Sequence, residues 1–217
     1  MGRHCDHTHA GGMLCFGHGV RRAVTHLWWW RTRGMWLQLV LLTGCFLLVL
    51  VVRSARVQVP GLSPIGANLP IAALGPLPLV EVMAIRMGAT AQQEVTAVRR
   101  MWRYDLTAFA LIAAIAAAVG ALMIPLVGGV GLETARTLVG LGALGVLASR
   151  IAGRRVGAVA PVLFLFISLA AGGPESWWQF PLAGAHSIGA TLLVGALCLA
   201  LALSHVSQHV RAHGGDA

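Results

Sequence analysis

Residues able to do chemistry are few in this 217-residue chain, and they fall in four places. The first is a polar, glycine-rich N-terminal stretch holding His4, Cys5, His7, His9, Cys15 and His18, types that bind soft or borderline metals. Their spacing matches no zinc-ligand pattern, and such a stretch reads as a disordered tail, so no metal is assigned to it. The second is Glu81, the one carboxylate well inside an apolar run. An intramembrane acid points to a cavity or a basic partner such as Arg150, or else it stays hydrated and tethers a helix end at the headgroups. The third is His186, placed to titrate or line a pathway, or to rest at an interface beside Trp177 and Trp178. The fourth is the segment from Glu94 to Asp105, with Arg99, Arg100 and Arg103 between them. Its apolar Val95, Val98 and Trp102 recur at helical spacing, giving a helix for the membrane surface, for a groove on a cytoplasmic partner, or for extending the following span. Ser187 beside His186 raises hydrolysis, but no Gly-x-Ser-x-Gly or Ser-x-x-Lys pattern accompanies it. No acid, base and nucleophile converge, so an enzyme is not expected, and no cofactor is assigned.

These groups must be positioned by elements built for lipid. The chain is 57% hydrophobic and only 11% charged, with a mean hydropathy of +0.77. Its net charge of +9 comes from 16 arginines and no lysine. A chain this greasy is not a nucleic-acid binder; its arginines punctuate apolar runs, as the positive-inside rule requires. Six runs reach or approach the roughly 20 residues that cross a bilayer: 35–52, 69–85, 106–127, 134–149, 156–171 and 182–203. The expectation is an all-α, polytopic membrane protein with six transmembrane helices. Pro70, Pro76 and Pro78 interrupt the second run, which should be kinked or partly unwound there. The fourth run is the weakest, since Arg136 lies near its start; it could snorkel outward, with Glu133 three residues earlier as a helical neighbour. Residues 57–68 read as a loop and Gly128–Gly131 as a turn. Small residues along the third and fourth runs, among them Ala113, Ala117, Gly140, Gly142 and Gly145, allow close helix contact.

Orientation follows from counting. With a cytoplasmic N-terminus, the inner segments hold Arg3, Arg21, Arg22, Arg31, Arg33, Arg86, Arg99, Arg100, Arg103, Arg150, Arg154, Arg155 and Arg211, and the outer ones only Arg53, Arg56 and Arg136. Both termini are therefore expected in the cytoplasm of a bacterium, whose GC-rich genome the all-arginine usage suggests. Residues 1–34 form the tail, ending in an interfacial Trp28-Trp29-Trp30 segment; 35–206 form the membrane domain, and 207–217 a short second tail. The first span is too long for a signal-peptide core and is expected to remain uncleaved. Cys45 and Cys198, inside apolar runs, read as small hydrophobes. With no lysine, a Gly-rich phosphate loop of the Walker type is impossible, so ATP-driven work needs a separate subunit.

A family resemblance rests on Glu94-x-Thr96-Ala97-x-Arg99-Arg100 after a Pro-broken span, on Arg154-Arg155-Val156-Gly157-Ala158-Val159-Ala160-Pro161, and on Trp177-Trp178-Gln179-Phe180-Pro181-Leu182. Together these resemble small six-span actinobacterial membrane proteins and the permease subunits of ABC-2 type exporters, over about residues 35–205. The resemblance implies a permease subunit working with a separate ATPase, the segment of Glu94, Arg99, Arg100, Arg103 and Asp105 coupling to it. On that view Pro76, Pro78, Glu81 and His186 shape the pathway. A non-transporting scaffold with the same docking segment, or a dimeric secondary carrier coupled through Glu81 or His186, are the alternatives. Homodimer and heterodimer both remain open.

Overall fold

The computed structural model describes residues 34–52, 56–59, 67–88, 101–170 and 178–213, with side chains within 34–52, 73–86, 105–170 and 178–204. The chain divides into two compact units, Met1–Leu37 and Gln38–Ala217. Of the first unit only Gly34–Leu37 is described, a turn and the opening residues of a helix. The His/Cys stretch and Glu94, Arg99 and Arg100 lie outside the described residues.

The elements are helices, apart from one short ladder. Helix α1 spans Met35–Val52. Its buried Leu42, Cys45, Phe46 and Val49 lie three and four residues apart, hence on one face, while Val40, Leu47 and Val51 are exposed. Within the stretch expected to be a loop, β1 (Arg56–Val59) pairs antiparallel with β2 (Ala67–Pro70), Val57 facing Leu69. The ladder takes Leu69 and Pro70 away from the second apolar run. What remains is two helices, α2 (Ile71–Leu74) and α3 (Leu77–Gly88), separated by a turn at Gly75 and Pro76. Proline cannot donate a backbone hydrogen bond, and Pro76 and Pro78 sit where a starting helix needs no donor. Val80 N donates to Pro76 O at 3.0 Å, closing the first turn. The expected interruption is therefore a clean break.

Helix α4 spans Met101–Leu122 and the four-residue α5 spans Ile124–Val127, the two divided at Met123, where Pro125 falls in the first turn of the new helix. Helix α6 spans Val130–Ala152, longer at both ends than the weak run in the sequence. One glycine, Gly153, then reverses the chain at φ +91°, a left-handed conformation that side chains with a Cβ adopt at a cost. Helix α7 spans Arg154–Ala170. The last run does not begin as a helix: Trp178–Ser187 is a succession of turns, and α8 spans Ile188–His213. Ser187 sits at the entrance to α8, its Oγ 3.4 Å from Ala190 N, the place where serine is favoured as an N-cap.

Helix α6 is the hub, with α3, α4, α7 and α8 all packed on it. Thr134, Ala135, Leu138, Leu141, Ala143 and Val146 are buried along it. Contacts fix the helix directions. Val80 belongs with Leu141 in one apolar cluster, and Ala84 reaches Gly145, so α3 runs parallel to α6. Phe109 lies at Gly142 and Gly120 at Gly131, so α4 runs antiparallel. Pro161 lies at Gly145 and Gly157 at Ser149, so α7 also runs antiparallel. Ala185, just before α8, bonds Glu133 and Val194 lies at Gly140, so α8 runs parallel. Consecutive long helices from α3 to α8 thus alternate in direction. The end of α3, the start of α4 and the Gly153 turn share one end of the bundle.

Among the described residues three helices are long and apolar enough to cross a membrane: 35–52, 105–122 and 130–152. Ile188–Ser204 is a shorter apolar helix. The third of the long helices is the one whose sequence looked weakest; its buried small and polar residues lower its apolarity because they face neighbouring helices.

Candidate functional site

A polar arrangement that joins distant parts of the chain lies at the end of the bundle opposite the Gly153 turn. Glu133 and Arg136, three residues apart in the first turns of α6, face the Trp178–Ser187 segment together. Arg136 Nη1 donates to Gly184 O at 3.0 Å and Nη2 to Phe180 O at 3.2 Å, and Nη2 also donates to Ala183 O. Ala185 N donates to Glu133 Oε1 at 2.8 Å. A planar guanidinium suits this task, since its fork of donors can meet several carbonyls at once. Arg136 therefore does not snorkel away from the protein, as the sequence led one to expect. Its charge is spent on backbone carbonyls of the helix-free segment, of which Gly184 O also accepts from Ser187 N at 3.0 Å.

Apolar contacts seat the same segment. Phe180 is fully buried and stacks on Phe164 of α7 with centroids 5.1 Å apart, while Trp178 meets Phe164 edge-on at 6.4 Å. Phe180 fits because position 140 is glycine: a Cβ there would run into the ring and stand 2.8 Å from Val194 Cγ2. Gly140→Ala should accordingly destabilise the protein by about 1–3 kcal/mol through overpacking. Thermal unfolding in detergent, followed by tryptophan fluorescence, should show a Tm several degrees lower, whereas Gly195→Ala, which has open space, should not.

Gln179, next to Phe180, is fully buried, and neither its Nε2 nor its Oε1 has a hydrogen-bond partner. Arg136 Nε and the Oγ of buried Ser168 on α7 also lack one. Each such group costs about 1–3 kcal/mol relative to a satisfied one. In this arrangement a charged pair holds a strip of chain that carries an unsatisfied amide into the interior.

The residues singled out from sequence are dispersed. Pro76 is buried and Pro78 exposed at the start of α3. Glu81 is half-buried, near the middle of α6 between the contacts of Val80 and Met83. His186 is exposed within the clasped segment. Asp105 is buried, 3% exposed, inside α4, and Arg103 lies in the same helix with its side chain outside the described residues. The structure brings together none of Glu81, His186 and Asp105. In sequence Glu133 and Arg136 are legible only as each other's helical neighbours, and Gln179 only as part of an interfacial aromatic motif. The available signal was a Glu-x-x-Arg pair inside an apolar run, which lipid alone cannot satisfy. Among the described residues no three His, Cys, Asp or Glu side chains group as metal ligands.

No family model, curated protein or solved structure matches this chain. The fold by itself defines a helical bundle of apolar helices, three of them of membrane-crossing length and composition.

Proposed function

We propose that this chain is a six-span permease subunit of an ABC-type exporter in the bacterial plasma membrane, with both termini cytoplasmic and a separate ATP-binding subunit as partner. One observation carries the reading: the end of α3, the start of α4 and the Gly153 turn lie at the same end of the bundle, where Arg86, Arg150, Arg154 and Arg155 also fall. Arg154 and Arg155 are exposed there. A single cytoplasmic partner can thus meet both the Glu94–Arg103 segment and the basic turn, with the positive-inside rule satisfied. The absence of lysine leaves the ATP site to that partner. In this reading Glu94, Arg99, Arg100 and Arg103 contact the ATPase, while Pro76, Pro78, Glu81 and His186 border the pathway. Pairing with a second copy or a related subunit completes the transporter.

The test is co-purification from membranes with an ATPase encoded nearby. Replacing Glu94, Arg99 and Arg100 together by alanine should cut its recovery at least about tenfold, because arginine contacts commonly dominate such interfaces. Undiminished recovery would count against the assignment. A second reading, a non-transporting membrane scaffold, draws on the glycine contacts of α6 with α4 and α7, which favour a rigid bundle. It predicts the same binding without ATP-dependent transport.

A further inference from the structure

We propose that Trp178–Ser187 is a latch, with the observed seated position held by Glu133 and Arg136 and a second position in which the segment leaves the bundle and Gln179 meets water. The inference is independent of any ATPase partner. Among the described residues, few polar bonds join the segment to the helices. Arg136 supplies three, to the carbonyls of Phe180, Ala183 and Gly184, and Glu133 supplies one, to Ala185 N. Among the described residues, the other hydrogen bonds of the segment are those of its own turns, such as Leu182 N and Ala183 N to Gln179 O, or the capping of α8 by Ser187. Two side chains on one helix thus control it.

The seated position also carries a penalty that the second position removes. Both ends of the Gln179 amide and Arg136 Nε are buried without partners, and exposure to water satisfies all of them at once. Phe180 and Ala183 pull the other way, because they join Val80, Leu141, Ala190 and Val194 in an apolar cluster. Opposed contributions of this kind make two positions close in free energy, as a switch requires.

Release would uncover something specific. Leu182 packs on the cluster of Ala73, Leu165 and Leu169, with Leu74 and Leu77 beside it, so the segment covers the break between α2 and α3. The Ser187 cap keeps α8 in place while the preceding turns move, and exposed Gly184 lies between the parts held by Phe180 and by Ala185. The latch therefore governs access to the broken helix from the end opposite the basic turn.

The experiment measures reactivity of single cysteines toward a water-soluble maleimide. It uses the full-length protein in lipid nanodiscs, with its four native cysteines replaced. Gln179→Cys and Ala183→Cys report on the latch, His186→Cys is the exposed reference and Leu201→Cys the buried one. Arg136→Lys or Glu133→Gln should speed labelling at 183 and at 179 at least tenfold, with 186 unchanged and 201 still unreactive. Gln179→Met, which keeps the volume and removes the unsatisfied amide, should slow labelling at 183 at least threefold. Rates at 183 that stay within twofold in every background overturn the latch, as does a parallel rise at 201, which would mean that the whole bundle loosens. Faster labelling at 183 in Gln179→Met overturns it as well.

Discussion

Arg136→Met is expected to destabilise the protein by about 3 kcal/mol, although it removes a charge from an apolar helix. Three carbonyls lose a charged donor, each such bond being worth about 1.5–3 kcal/mol. Methionine recovers most of the dispersion contact and spares the cost of burying a guanidinium, so the loss is well below the sum. Removing one partner from a buried charged arrangement typically costs about 3–5 kcal/mol, and the half-exposed position of Arg136 places this case at the lower end. Thermal unfolding in detergent should show a Tm fall of about 6–12 °C for a chain of this size. Arg136→Lys should fall between, because one ammonium cannot reproduce a planar fork. Combining Arg136→Met with Glu133→Gln should cost less than the sum of the two, since both hold the same segment. Strict additivity would mean that the two side chains act on unrelated parts of the molecule.

Gly157→Ala should be as damaging from a single methyl group. A Cβ at 157 would overlap Ser149 Cβ and stand 2.7 Å from Ser149 Cα and 2.8 Å from Gly145 O. Two of those three atoms are backbone of α6 and the third is bonded directly to it, so no side chain can swing aside. Helices α6 and α7 must separate, which disturbs Pro161 against Gly145 one turn further on. Overpacking of a rigid contact costs about 1–3 kcal/mol, and the upper end applies here. The comparison that isolates the effect is Gly184→Ala, where no atom lies within 4 Å of the added carbon. Equal unfolding temperatures for the two variants would refute the close helix approach.

How much of this could be read from residues alone differs between elements. The apolar runs gave the positions of α1, α4 and α7 because length and apolarity act locally. The proline break fell where Pro76 and Pro78 put it, since the missing donor is a property of the residue itself. The ladder of Arg56–Val59 with Ala67–Pro70 was not legible: four-residue strands leave little periodicity, and their pairing depends on partners across a connection. The extent of α6 was underestimated because Glu133 and Arg136 look hostile to a spanning helix until their distant partners at 180–185 are known. The start of α8 was placed six residues early, because Leu182 and Ala183 are apolar in composition yet serve in turns. Gln179 was invisible for a related reason. An amide beside tryptophan and phenylalanine reads as interfacial, and only the fold carries it into the interior.

The alternation of helices around α6, with the basic turn at the end of the bundle where α3 ends and α4 starts, is most directly tested by side-specific labelling of intact cells with a membrane-impermeant maleimide. In a protein without its native cysteines, Arg155→Cys should react only after the membrane is permeabilised, and His186→Cys should react without permeabilisation. Reaction of both from the same side of an intact membrane would contradict the account.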